Sequence, residues 1–158
     1  MTAGLQRVPD DALLLVMEDD DIYLPGHVEN IVTALESAEL VGERVARYYN
    51  VATRRYRVMH AGQHAAMASV GVGGAGLKAL RRVCRDHKSA LDVHLWRSFI
   101  WPKKLLDTAN VIGIKGMPGR VGLGVGHRKT FGTPDVTGVL AEWVGPERAA
   151  LYEQWGAA

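Results

Sequence analysis

The feature that most constrains this chain is a short apolar run that ends abruptly in acid. Residues 12–17 read Ala-Leu-Leu-Leu-Val-Met, and Glu18-Asp19-Asp20-Asp21 follow without a break. Six consecutive apolar residues are short for a helix and suit a strand buried on both faces, as in a parallel or mixed sheet. Open α/β sheets bind ligands where such strands emerge. The four carboxylates are therefore placed where chemistry is done. They also have a plainer use, as a solvated turn whose charge favours the N-terminus of a following helix.

The rest of the chain alternates helix and strand signals. Pro25 fits a first helical turn, and Val28, Ile31 or Val32, Leu35 and Ala38 recur at helical spacing, which predicts a helix from about Pro25 to Leu40. Residues 45–60 are rich in Tyr and Val around Thr53-Arg54-Arg55, the pattern of a hairpin with one wet face. Further along, the pattern predicts a strand over Ala65 to Val72, a helix over Ala75 to Arg85 and a helix over Ser89 to Trp101. A strand over Asn110 to Lys115 comes next, then a glycine-rich basic loop over 116–130, then two short helices within Thr133 to Trp155 divided at Gly145-Pro146.

The class is α/β. A length of 158 residues with 47% hydrophobic content is that of one domain with a real core, so 1–158 is read as a single unit. The net charge of +2 does not by itself argue for nucleic acid. Cys84 is the only cysteine, which leaves no intrachain disulfide and no thiolate metal cluster and fits a reducing cytoplasm. The longest apolar run is far below the ~20 residues that cross a bilayer, and no signal pattern opens the chain, so no integral membrane segment is expected.

The run Leu14-Leu-Val-Met-Glu-Asp-Asp-Asp-Ile-Tyr-Leu-Pro-Gly-His27-Val closely resembles the Asp-x-Asp segment of family 2 glycosyltransferases, in its order of apolar strand, acids, aromatic and proline. The resemblance implies a GT-A-like (Rossmann-like) mixed sheet flanked by helices. It also implies a Mn²⁺- or Mg²⁺-dependent transfer of sugar from a nucleotide diphosphate donor to an acceptor hydroxyl. In that family the central acids contact the metal and the ribose or diphosphate, which points to Asp19, Asp20 and Asp21. Asp20 is the best single metal ligand because both registers of the motif keep it near the cation, with Asp21 second and with Asp19 and Asp21 toward the donor.

Inverting members also carry a carboxylate at the start of a later helix that takes the acceptor's proton, and Asp92 resembles it. Ser89 and Asp92 equally have the spacing of a capping box. Lys115, Arg120 and Arg128 lie in a glycine-rich basic stretch suited to closing over phosphates. By resemblance, His127 is a candidate to complete the metal shell. The stretch is not a Walker loop, since Arg128 stands where its last glycine would be.

Two alternatives accompany this reading. Gly71-Val-Gly-Gly-Ala-Gly76 matches the dinucleotide fingerprint of an oxidoreductase domain, although no strand leads to an acid ~20 residues later. A non-catalytic metal or sugar-nucleotide module is the other. His60 and His64 are read as strand-end or acceptor-cleft residues, and His94 as a helix-face residue. The resemblance covers roughly residues 10 to 130 and begins where the second half of a family 2 catalytic domain would begin. The expectation is a homo-oligomer, or a partner chain supplying the missing N-terminal half and covering the apolar strand. The acceptor is not legible.

Overall fold

Helices and strands alternate along the chain because apolar residues switch repeatedly between helical and sheet periodicity. The computed structural model describes residues 2–119, 126 and 130–156. A short helix α1 (Thr2–Leu5) leads to β1 (Leu14–Leu15), β2 (Ile22–Tyr23), α2 (His27–Leu35), β3 (Leu40–Glu43), β4 (Val45–Asn50) and β5 (Arg55–His60). After a 3-10 turn (Met67–Ser69) come β6 (Gly71–Val72), α3 (Gly74–Asp86), α4 (Leu91–Ser98), β7 (Lys103–Leu106) and β8 (Val111–Lys115). β9 (Thr133–Pro134), α5 (Val139–Val144) and α6 (Pro146–Gly156) follow.

The strands make two mixed sheets, ordered β1-β6-β3-β7 and β2-β8-β4-β5-β9. β3 runs parallel to β7 and β4 parallel to β8, while the other neighbours are antiparallel. Three times the chain leaves the first sheet and enters the second: from β1 to β2, from β3 to β4 and from β7 to β8. The sheets thus meet along a seam, where the Arg44 amide donates to the Leu106 carbonyl at 2.8 Å.

Side-chain alternation decides the layers. Leu14, Leu40 and Leu105 point into a core with Leu77, Leu80 and Val83 of α3 and Leu95 of α4. Their neighbours Leu15, Val41 and Leu106 point the other way, onto Ile31 and Ala34 of α2. The first sheet is therefore covered on both faces, which is why its strands carry apolar residues at successive positions. Each fully buried Leu or Val contributes about 1.5–3 kcal/mol. In the second sheet Tyr49, Ile112 and Ile114 pack toward Leu140 of α5 and Ala149 of α6. The alternate residues Tyr48 and Lys115 line a cleft.

Glu43, 1% exposed, pins the seam. Its carboxylate accepts from the Asn110 amide at 2.7 Å, the Val111 amide at 3.2 Å and the Thr108 hydroxyl at 3.1 Å, and pairs with His27 Nδ1 at 3.2 Å. Burial alone would push this carboxyl up, but His27 and the other donors outweigh it and hold it below the usual range.

The α/β class, the hairpin, α3, β8 and the two C-terminal helices stand as the sequence predicts. Four expectations are corrected. The strand expected over Ala65 to Val72 is a 3-10 turn over Met67–Ser69 followed by a strand of only Gly71–Val72. The helix after Pro25 ends at Leu35 and not near Leu40, because Leu40–Glu43 pairs with both β6 and β7 and sheet pairing overrides the helical spacing of Leu35 and Ala38. The apolar run 12–17 supplies only two paired residues, at a sheet edge. Ser89 to Trp101 is helical only over Leu91–Ser98, its end tied off by Lys103 Nζ, which donates to the Trp96 and Phe99 carbonyls. Among the described residues no helix is long and apolar enough to cross a membrane.

Candidate functional site

The acids lie in the crossover from β1 to β2, a turn closed by the Asp21 amide donating to the Glu18 carbonyl at 3.3 Å. They do not cap the next helix, since α2 starts only at His27 behind Gly26, whose φ of 86° needs glycine. Two contacts fix the turn. The Tyr23 hydroxyl accepts from the Glu18 amide at 2.7 Å and donates to the Ala68 carbonyl at 3.2 Å, while its ring packs 5.1 Å from that of His27. Asp21 turns inward, its side chain 2% exposed, and accepts from the Ile114 amide at 3.0 Å.

Glu18, Asp20 and Asp21 each offer one oxygen, and the three oxygens lie within 4.8 Å of one another. Carboxylates this close repel. Burial first, then the neighbouring acid charge, pushes the Glu18 carboxyl up. Burial likewise raises Asp21, against the opposing pull of Lys115. Lys115 Nζ stands 3.0 Å from Asp21 and 3.8 Å from Glu18, one monovalent charge against a cluster of acids. Hard carboxylate oxygens with unneutralised charge are the donor set that Mg²⁺ and Mn²⁺ prefer, so the residues fit a divalent cation. Glu18 joins Asp20 and Asp21 as a ligand candidate. The sequence offered it as a neighbour in the acid run, without the turn that brings its oxygen beside those of Asp20 and Asp21.

Beside the acids, a cleft of about 340 Å³ is lined by Tyr48, His60, His64, Asp92, Lys115 and Phe131, among others. Asp92 enters it from the first turn of α4. The Ser89–Asp92 capping box does not form: Ala90, at φ 51°, precedes the helix and no side chain caps it. Tyr48 joins the two groups of acids. Burial and then the charges of Asp21, Asp92 and Glu18 raise its phenol to about 12, so it stays protonated as a hydrogen-bond donor. Its ring meets Phe131 edge-on at 6.2 Å. Neither aromatic carries a sequence motif, and only the hairpin's wet face hinted at Tyr48.

Lys115 is the last residue of β8, so its ammonium is committed to the acids and is not carried on a separate loop. Asn50 anchors Gly126 of the glycine-rich stretch beside it, donating to its carbonyl at 2.8 Å. Arg120, His127 and Arg128 lie outside the described residues. Asp19 is exposed and outside the three-oxygen cluster. His60, the last residue of β5, and His64 both line the cleft.

The glycines of 71–76 have a packing explanation. A Cβ on Gly71 would strike Ile31, and one on Gly76 would strike the Glu39 carbonyl oxygen. The Glu39 carboxylate accepts from the Ala75 amide at 2.5 Å, filling the helix N-terminus where a dinucleotide's pyrophosphate would sit.

No protein-family model and no curated protein matches this chain.

Proposed function

We propose that this protein is a divalent-metal-dependent glycosyltransferase of GT-A-like fold. It would move a sugar from a nucleotide diphosphate donor to an acceptor hydroxyl. The observation that carries the reading is that Lys115, paired with Asp21 of the three-carboxylate turn at 3.0 Å, lines the same cleft as Asp92 and Tyr48. These groups come from distant parts of the sequence.

In this reading Glu18, Asp20 and Asp21 hold Mn²⁺ or Mg²⁺, and Lys115 keeps Asp21 ionised and oriented. The bound cation supplies neutralising charge for the departing diphosphate. Asp92 takes the proton of the acceptor hydroxyl as its oxygen bonds to the sugar's anomeric carbon. The bond from that carbon to the diphosphate breaks, and its electron pair leaves with the nucleotide. The protein works without spanning a membrane and in the cytoplasm. A second copy or a partner chain pairs with the open edge of β1.

Calorimetry with a uridine or guanosine diphosphate tests the metal centre. Binding should appear with Mn²⁺, vanish in chelator and fall at least tenfold in Asp20→Ala. Equal binding in chelator and in Mn²⁺ would remove the basis of the proposal.

A further inference from the structure

A second cleft, of about 570 Å³, adjoins the first. It is lined by Arg44, His64, Arg97, Lys103 and Trp96, among others, and no carboxylate is among the described residues that line it. The two clefts share His64, and they divide consecutive residues of α4, Asp92 lining one and Val93 the other. A molecule with a hydroxyl at Asp92 can therefore extend into cationic surroundings.

The cations are unequally committed. Arg97 is exposed and has no ion-pair partner among the described residues. Arg44 touches Asp107 at 2.7 Å through Nε, but that carboxylate is 84% exposed and leaves the rest of the guanidinium fork available. Lys103 spends two donors on the carbonyls that end α4 and keeps a third. The wall thus carries three cations and, among the described residues, no carboxylate. Two guanidinium forks and an ammonium match a dianion better than a single carboxylate, and phosphate is the dianion whose oxygens fit such forks.

We infer that this cleft is a phosphate subsite for the acceptor, which makes the acceptor a hydroxyl compound bearing a phosphomonoester. Its role as an acceptor subsite rests on the transfer reading above; its affinity for phosphate does not.

The test is calorimetry on the whole chain in chelator and without nucleotide, which keeps the acidic turn out of the measurement. The probes are glucose 6-phosphate, glucose and inorganic phosphate. Glucose 6-phosphate should bind at least tenfold more tightly than either of the others, because only it fills both clefts. Arg97→Gln, an exposed substitution whose fold circular dichroism can check, should weaken it about tenfold. Asp107→Asn should bind it as tightly or more tightly, since it frees Arg44 from a competing carboxylate, an effect that a purely structural role of Asp107 would not produce. Glucose binding as well as its phosphate, or no change in Arg97→Gln, overturns the subsite. Inorganic phosphate binding as tightly as the sugar phosphate also overturns it, leaving a simple anion site. Selective binding of the sugar phosphate supports the subsite even if the metal-dependent nucleotide binding fails, so the two ideas fall separately.

Discussion

Asp92 and Lys115 show how one residue's meaning depends on its surroundings. Each has an ordinary explanation in the sequence, a helix cap for Asp92 and a basic loop for Lys115, and in each case the structure supplies a different neighbour. Asp92 caps nothing and lines the cleft. Asp92→Asn should consequently melt within ~0.5 kcal/mol of the parent, since no cap is lost. Sugar transfer should drop roughly 10²–10⁴-fold, the usual worth of a general base. A thermal melt and a turnover assay read the two effects. Lost stability with retained turnover would return Asp92 to a structural role.

At the scale of elements, the seam between the sheets is the decisive construction. Chain segments that cross it must turn while their backbone groups stay paired, and Glu43 accepts the hydrogens that the crossing leaves over, those of Asn110 and Val111. His27, held by the same carboxylate, packs on Tyr23, and Tyr23 holds the Glu18 amide. The seam therefore sets the acidic turn. Glu43→Gln should cost about 2–3 kcal/mol at pH 7, because charged hydrogen bonds are replaced by neutral ones. The folded-state pKa of Glu43 lies below its ordinary 4.5, so the stability it adds is present above that value. That stability disappears as pH falls through the folded-state pKa. Urea melts should accordingly show the parent and variant far apart at neutral pH and converging in acid. A gap that persists at low pH would assign the effect to shape and not to charge.

For the whole molecule, the open question is the outer edge of the first sheet. β1 pairs only with β6, and the flanking Leu13 and Met17 are 51% and 49% exposed. An unpaired edge with apolar neighbours is a place where another strand adds. The expected outcome is association through this edge, seen by light scattering as a mass above that of one chain that persists on dilution to low micromolar concentration. Replacing Leu13 by Lys, which touches no catalytic group, should shift the population toward monomer. A monomer throughout the series would mean that the edge is tolerated as it stands.

The sequence by itself determined the α/β class, the hairpin, α3, β8, the break between the last two helices and the acidic turn as a place of interest. Each of these rests on local signals: apolar periodicity, glycine and proline positions, and a run of like charge that cannot be buried unpaired. Only the tertiary structure decided where α2 stops, because Ala38 continues the helical spacing of Leu35 while Leu40–Glu43 is held as a strand by β6 and β7 on either side. It alone revealed β7, whose Lys-Lys-Leu-Leu has no strand pattern until β3 pairs with it. The glycines of 71–76 look like a nucleotide fingerprint in one dimension, and their crowding by Ile31 and Glu39 exists only in three. Glu18 beside Asp20 and Asp21, Lys115 on the acids and Tyr48 in the cleft with Asp92 were beyond the sequence for the same reason. Residues far apart along the chain acquire a shared chemistry only when sheet pairing and burial bring their side chains within a few ångströms.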